Sequence, residues 1–323
     1  MSFFEPLIGQ PQAVGLLTQA VAKQRIAPAY LFAGPDGIGR KLAARCFIEH
    51  LFAPAEMALA NQNILRTHIH QGNHPDVLWV EPTYLHQGKR LTAAEAAEAD
   101  LKRKTAPIIR LEQIREIGQF LARSALEAPR SVVVIEQAET MAEAPANALL
   151  KTLEEPGQAT LILIARSVES LLPTLVSRCQ KIPFFRLSSE EMKQVLQKAG
   201  HEELLQHPLL LQFAEGSPGA AIAHWQMLQT VPAELCEMLA HPPRSHREAL
   251  HLARQIDQTL ETEAQLWLID YLQYTYWQQI SRNLRSHSIN SQPLRLLEKA
   301  RKHLLSYVNA RLVWEVTLME MVS

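Results

Sequence analysis

Eight residues near the N-terminus, Gly34-Pro35-Asp36-Gly37-Ile38-Gly39-Arg40-Lys41, keep the spacing of a phosphate-binding loop but not its chemistry. In the working pattern G-x-x-x-x-G-K-[ST], backbone N–H groups cradle the phosphates, the lysine reaches the β- and γ-phosphates, and the hydroxyl holds Mg²⁺. Here Arg40 fills the lysine position with a larger, planar head. Lys41 puts an ammonium, which has no lone pair to offer a metal, where the hydroxyl belongs. A second nucleotide element should be an acidic strand end that helps to hold Mg²⁺ and a water. The match is Glu136 in Ile135-Glu136-Gln137-Ala138-Glu139, with Gln137 where a second acid would serve; Glu136 reads equally as a solvated strand terminus. Gly34, Gly37, Gly39, Arg40, Lys41 and Glu136 thus form a degenerate nucleotide site that is not expected to hydrolyse nucleotide. Weak ATP or ADP binding stays compatible with the surviving backbone cradle, and no cofactor is required.

The loop needs a strand before it and a helix after it, and both are legible. Ala29 to Ala33, Asp76 to Val80, Ser131 to Ile135 and Thr160 to Ile164 read as strands, with helices near 39–52, 110–123 and 143–154. This alternation implies a mainly parallel α/β sheet covered by helices. The apolar runs 131–135 and 161–164 suit strands buried on both faces, in the middle of that sheet. Residues 81–107 break the pattern and read as a surface insertion, partly helical, with an acidic piece (Glu95, Glu98, Asp100) and a basic run, Lys102-Arg103-Lys104. After Pro183 the chain turns helical, and Ser188-Ser189-Glu190-Glu191 has the spacing of a capping box. The expected division is an α/β domain over 1–185, a small helical domain over 186–208 extending by one helix to about 228, and a helical domain over 229–323.

Composition narrows the function class. The 32 Lys and Arg balance 33 Asp and Glu, so no overall cationic field marks the 323-residue chain as an autonomous nucleic-acid binder. Cys46, Cys179 and Cys236 lie far apart, which fits reduced thiols in the cytoplasm and no cysteine zinc site. No long apolar run suggests a membrane span. His68, His70 and His74 could offer imidazoles to zinc, but their spacing matches no known site, and structural or solvent-facing histidines are the better reading. No metal is expected. Trp267, Tyr271, Tyr274, Tyr276 and Trp277 could stack bases, yet their helical spacing among Leu266, Leu268, Ile269 and Leu272 favours core or interface packing. There is no persuasive Ser/His/Asp or Cys/His arrangement.

Several further pieces carry a resemblance: Ile8-Gly9-Gln10, Tyr30 to Pro35, Gly72-Asn73-His74-Pro75-Asp76, Leu149-Leu150-Lys151-Thr152-Leu153-Glu154-Glu155-Pro156 and Ser177-Arg178-Cys179. Together they resemble the delta-prime family of bacterial DNA polymerase III clamp-loader subunits, in the AAA+ superfamily. The match is good over roughly residues 6 to 228, with weaker support at Asn309-Ala310-Arg311-Leu312. The resemblance implies an AAA+ domain, a helical lid and an all-α collar for oligomerisation. It implies a non-hydrolysing subunit that assembles with delta and gamma/tau to load the sliding clamp on primed DNA. In that family the arginine of Ser-Arg-Cys reaches into the ATP site of a neighbouring motor subunit, which carries over to Arg178 with Ser177 beside it. The alternative for Arg178 is an internal salt bridge to Glu154 or Glu155. Two departures stand out: residues 51–75 lack the four cysteines of the zinc module found in many relatives, and Gly216-Ser217-Pro218-Gly219-Ala220 lacks the sensing arginine of hydrolysing subunits. An ATP-hydrolysing motor-type subunit and a nucleotide-free adaptor outside replication are the competing functions.

Overall fold

The computed structural model describes residues 3–53, 58–99, 106–155, 157–282 and 291–322. Seven strands appear among these: β1 (Ala29–Ala33), β2 (Val77–Val80), β3 (Tyr84–His86), β4 (Lys89–Leu91), β5 (Val132–Ile135), β6 (Thr160–Ala165) and β7 (Gln180–Pro183). Five of them form one sheet in the order β2-β5-β6-β1-β7, and every pairing in it is parallel. β1, β5 and β6 are buried along their whole length, as their unbroken apolar sequences require of strands covered on both faces. One face packs Leu31, Val133, Ile135, Leu161 and Leu163 against Ile114, Ile117 and Leu149 from the helices Leu111–Leu121 and Glu143–Glu154. On the other, Tyr30 meets Phe47 edge-on at 5.1 Å between ring centroids, and Phe32 meets Phe184 at 5.3 Å.

Two features were not legible beforehand. β7 is a short edge strand in which only Ile182 is buried, so its sequence carries no apolar signature. The insertion contains the antiparallel hairpin β3–β4, beside the helix Ala93–Glu98 that its partly helical reading expected, whose Thr92 and Glu95 form a reciprocal capping box. Arg90 pairs with Glu116, tying the hairpin to the helix Leu111–Leu121. Asp100, the basic run Lys102-Arg103-Lys104 and Pro156 lie outside the described residues.

The chain divides into two compact units, one of Met1–Val195 with Gly216–Gly219, the other of Leu196–Glu215 with Ala220–Ser323. In the first, Ser188 and Glu191 make the expected cap: the Ser188 N–H donates to Glu191 Oε2 at 2.8 Å and the Glu191 N–H to Ser188 Oγ at 3.4 Å. The second is helical throughout its described residues. Its helices His246–Thr259, Thr262–Arg282, Gln292–Leu305 and Ala310–Glu320 bury Leu252, Leu268, Leu297 and Trp314. Most of the aromatic cluster belongs to this packing: Trp267 and Tyr276 are buried, Trp267 stacks on Tyr271, and the Tyr276 hydroxyl donates to Leu239 O at 2.8 Å. Trp277 remains exposed. No helix among the described residues is long and apolar enough to cross a membrane.

Candidate functional site

The loop leaves the C-terminal end of β1 and enters the helix Arg40–Phe52 through Gly39, whose φ of +96° is the left-handed region that glycine occupies without strain. Gly34 is required for a different reason: a Cβ there would stand 2.5 Å from Phe184 O. The buried Gln10 side chain holds the loop from behind. Its Nε2 donates to Phe185 O at 2.7 Å and Ile38 O at 3.3 Å, and its Oε1 accepts from the Phe185 N–H. From the front, Ser217 Oγ donates to Asp36 O at 2.7 Å and the Gly219 N–H to Gly37 O at 2.9 Å.

Both loop cations are consumed inside the chain. The buried Arg40 guanidinium donates to Ala165 O, at the end of β6, and to Asp36 Oδ1. Burial pulls its pKa below the usual value, against the opposing pull of Asp36. Lys41 Nζ pairs with Glu136 Oε1 at 2.7 Å and lies 5.7 Å from the centroid of the Trp79 ring, over which Arg45 also sits. Glu136 therefore neutralises a lysine at the position where it would have served a metal. Arg166, the residue after β6, adds Nε–Oδ2 contact with Asp36 at 2.6 Å and lies 3.4 Å from Glu139 Oε1. The cavity that remains, lined by Asp36, Arg40, Lys41, Glu136 and Glu139 among others, has a volume of about 210 Å³. Small-molecule sites usually begin near 300 Å³.

Gly34, Gly37, Gly39, Arg40, Lys41 and Glu136 are thus brought together as the sequence suggested. Asp36, Gln10, Glu139 and Arg166, which the motif pattern does not single out, complete the site. An acid inside a loop with the spacing of a phosphate cradle was the available signal for Asp36. Arg166 and Glu139 gave none, because only the sheet order sets β6 beside β1 and β5.

Arg178 is elsewhere. It follows the short helix Pro173–Val176 and precedes β7, so it stands at the N-terminal edge of the sheet while the loop stands at the C-terminal edge. It lies level with a point about six residues below the loop along β1, roughly 20 Å at the usual rise per strand residue. Its Nη2 pairs with Glu154 Oε1 at 2.7 Å and its Nη1 donates to Thr174 O at 2.9 Å, so the internal salt bridge forms in this chain. Ser177 Oγ donates to the same carbonyl at 3.0 Å and tightens the turn that presents Arg178. Cys179 is partly buried against the core, and burial pushes its thiol up to about 11.

The histidines have separate partners. His70 Nε2 lies 2.9 Å from Glu49 Oε1, a buried carboxylate that also binds Arg66, and His74 Nδ1 accepts the Asp76 N–H. No group of three His, Cys, Asp or Glu able to hold a metal occurs among the described residues.

Comparison with known proteins agrees over both parts of the chain. Residues 9–188, more than half of it, match the family described as DNA polymerase III, delta subunit, and residues 190–321 match the Cyanobacterial DNA polymerase III delta prime, C-terminal domain. The chain is 32% identical over 179 residues to DNA polymerase III subunit delta' of Bacillus subtilis (strain 168), covering 54% of this chain and 47% of that protein. It is 32% identical over 235 residues to DNA polymerase III subunit delta' of Pseudomonas aeruginosa (strain PAO1), covering 70% of this chain and 65% of that protein. It therefore spans about half to two thirds of the length of these curated relatives. A solved DNA polymerase III, gamma subunit-related protein from Thermotoga maritima shares the fold, with a TM-score of 0.55 and 18% identity across 95% of this chain and 97% of that one. With its parallel sheet and helical C-terminal region, the chain belongs to the delta-prime family of DNA polymerase III subunits.

Proposed function

We propose that this chain acts as a non-hydrolysing stator in a clamp loader. It assembles in the cytoplasm with delta and gamma/tau, lends Arg178 to the ATP site of a neighbouring motor subunit, and so supports loading of the sliding clamp on primed DNA. Residues 186 to about 228 serve as the lid and 229–323 as the collar. The observation that carries this reading is the opposed placement of the two basic sites. Arg40 and Lys41, at the C-terminal edge of the sheet, are neutralised by Asp36 and Glu136. Arg178, at the N-terminal edge, cannot reach its own loop, and its guanidinium holds the exposed carboxylate of Glu154 and the Thr174 carbonyl. A guanidinium so placed is available to a phosphoryl group that docks from outside, where it can stabilise the charge building on the transferred oxygens.

The test is ATP turnover by the isolated chain, with co-elution alongside delta and gamma/tau. The expected result is no turnover and a single complex. Turnover abolished by Arg40→Ala would establish the motor-type subunit instead, and failure to join either partner would move the chain outside replication.

A further inference from the structure

The relict loop poses its own question: why it keeps a phosphate cradle's shape with no phosphate-binding lysine to serve. The answer lies in the side chain of Asp36. Arg40 binds one of its carboxylate oxygens and Arg166 the other, so two guanidinium groups from different elements converge on a single anion at the mouth of the loop. That is the arrangement by which arginines take up a phosphate: N–H groups donating to separate oxygens of one charged group. Around it, the Ser217 hydroxyl and the Gly219 N–H bind the carbonyls of Asp36 and Gly37, fixing the loop with bonds from the chain itself. Glu139, whose Oε2 is buried without a partner, and Glu136 add negative charge to the same small cavity.

We propose that Asp36 is a resident anion standing in for a phosphate, and that it is the residue that withholds the loop from the diphosphate group of a nucleotide or of inorganic pyrophosphate. This rests on the stator reading and deepens it: the loop is occupied by its own chain, and its capacity for phosphate is latent. Removing the carboxylate releases one N–H face of Arg40, which stays anchored on Ala165 O, and the Nε of Arg166, which stays beside Glu139, and takes one negative charge out of the cavity. Asp36 is half-exposed, so asparagine, with nearly the same volume, removes the charge without disturbing a core.

Isothermal titration of the full chain with magnesium-free ADP, and separately with inorganic pyrophosphate, tests this. The wild type is expected to show no saturable binding in the millimolar range. Asp36→Ala and Asp36→Asn, each confirmed as folded by its melting curve, are expected to bind both probes at least about tenfold more tightly. Adding Arg40→Ala to Asp36→Ala is expected to abolish the gain. Binding by the wild type as tight as by the variants would overturn the proposal, as would folded variants that bind no better than a silent wild type. The second outcome would leave the stator reading intact, whereas ATP turnover by the wild type would sink that reading itself.

Discussion

Replacing Arg178 by alanine is the sharpest perturbation of the stator reading. At rest Arg178 is held by Glu154, with the two side chains 37% and 52% exposed. An ion pair that exposed is worth about 0.2–1 kcal/mol. Leaving Glu154 for a neighbour's phosphate therefore costs at most a factor of about five in population, at 1.36 kcal/mol per decade. An arginine supplied in trans to a phosphoryl transfer accelerates it by about 10³–10⁵, or roughly 4–7 kcal/mol on the same scale. The resting salt bridge is thus too weak to prevent the role, and alanine should remove nearly all of the gain. The assay is DNA- and clamp-stimulated ATPase of the reconstituted delta, delta-prime and gamma/tau assembly, after gel filtration has shown that the variant assembles. Hydrolysis at the site abutting this subunit is expected to fall by about 10³ or more. Arg178→Lys should recover part of it, since the charge returns without the planar fork. Glu154→Gln should leave turnover at or slightly above the wild-type rate. Unchanged turnover by an intact Arg178→Ala assembly would refute the argument and reduce Ser177-Arg178-Cys179 to a turn.

Two further perturbations test what supports the sites. Asp76 accepts the N–H groups of Leu126, Glu127 and Ala128 at 2.7–2.8 Å; burial would raise its pKa, but these donors outweigh it and hold the carboxyl below its usual range. Its stabilisation is therefore full above the unfolded value of about 4 and is lost as pH falls through the lower folded value. Asp76→Ala should cost about 2–4 kcal/mol in urea titrations at neutral pH, by the strength of hydrogen bonds to charged groups, and the deficit should shrink in acid. Gly219→Ala would put a Cβ 2.6 Å from Gly37 Cα, backbone against backbone. Such overpacking should lower stability by about 1–3 kcal/mol, and a melting temperature equal to that of the wild type would show that the segment is not seated on the loop.

The amino-acid sequence by itself determined the α/β class and the strands β1, β5 and β6, because fully buried parallel strands need unbroken apolar runs and tolerate little else. It also carried the glycine frame of the loop and the presence of Arg40 and Lys41 where the working pattern has a lysine and a hydroxyl, since these are matters of residue type at fixed spacing. The edge strand β7 and the hairpin in the insertion were hidden, for an exposed or short strand leaves its residues free to be polar. Only the tertiary structure decided where the charges go. Arg40 and Arg166 are 126 positions apart in sequence and meet at Asp36 because β6 lies beside β1 in the sheet. Arg178 is removed from the loop for the same kind of reason: in a parallel sheet a residue before one strand and a residue after its neighbour stand at opposite edges, a separation that spacing along the chain does not encode.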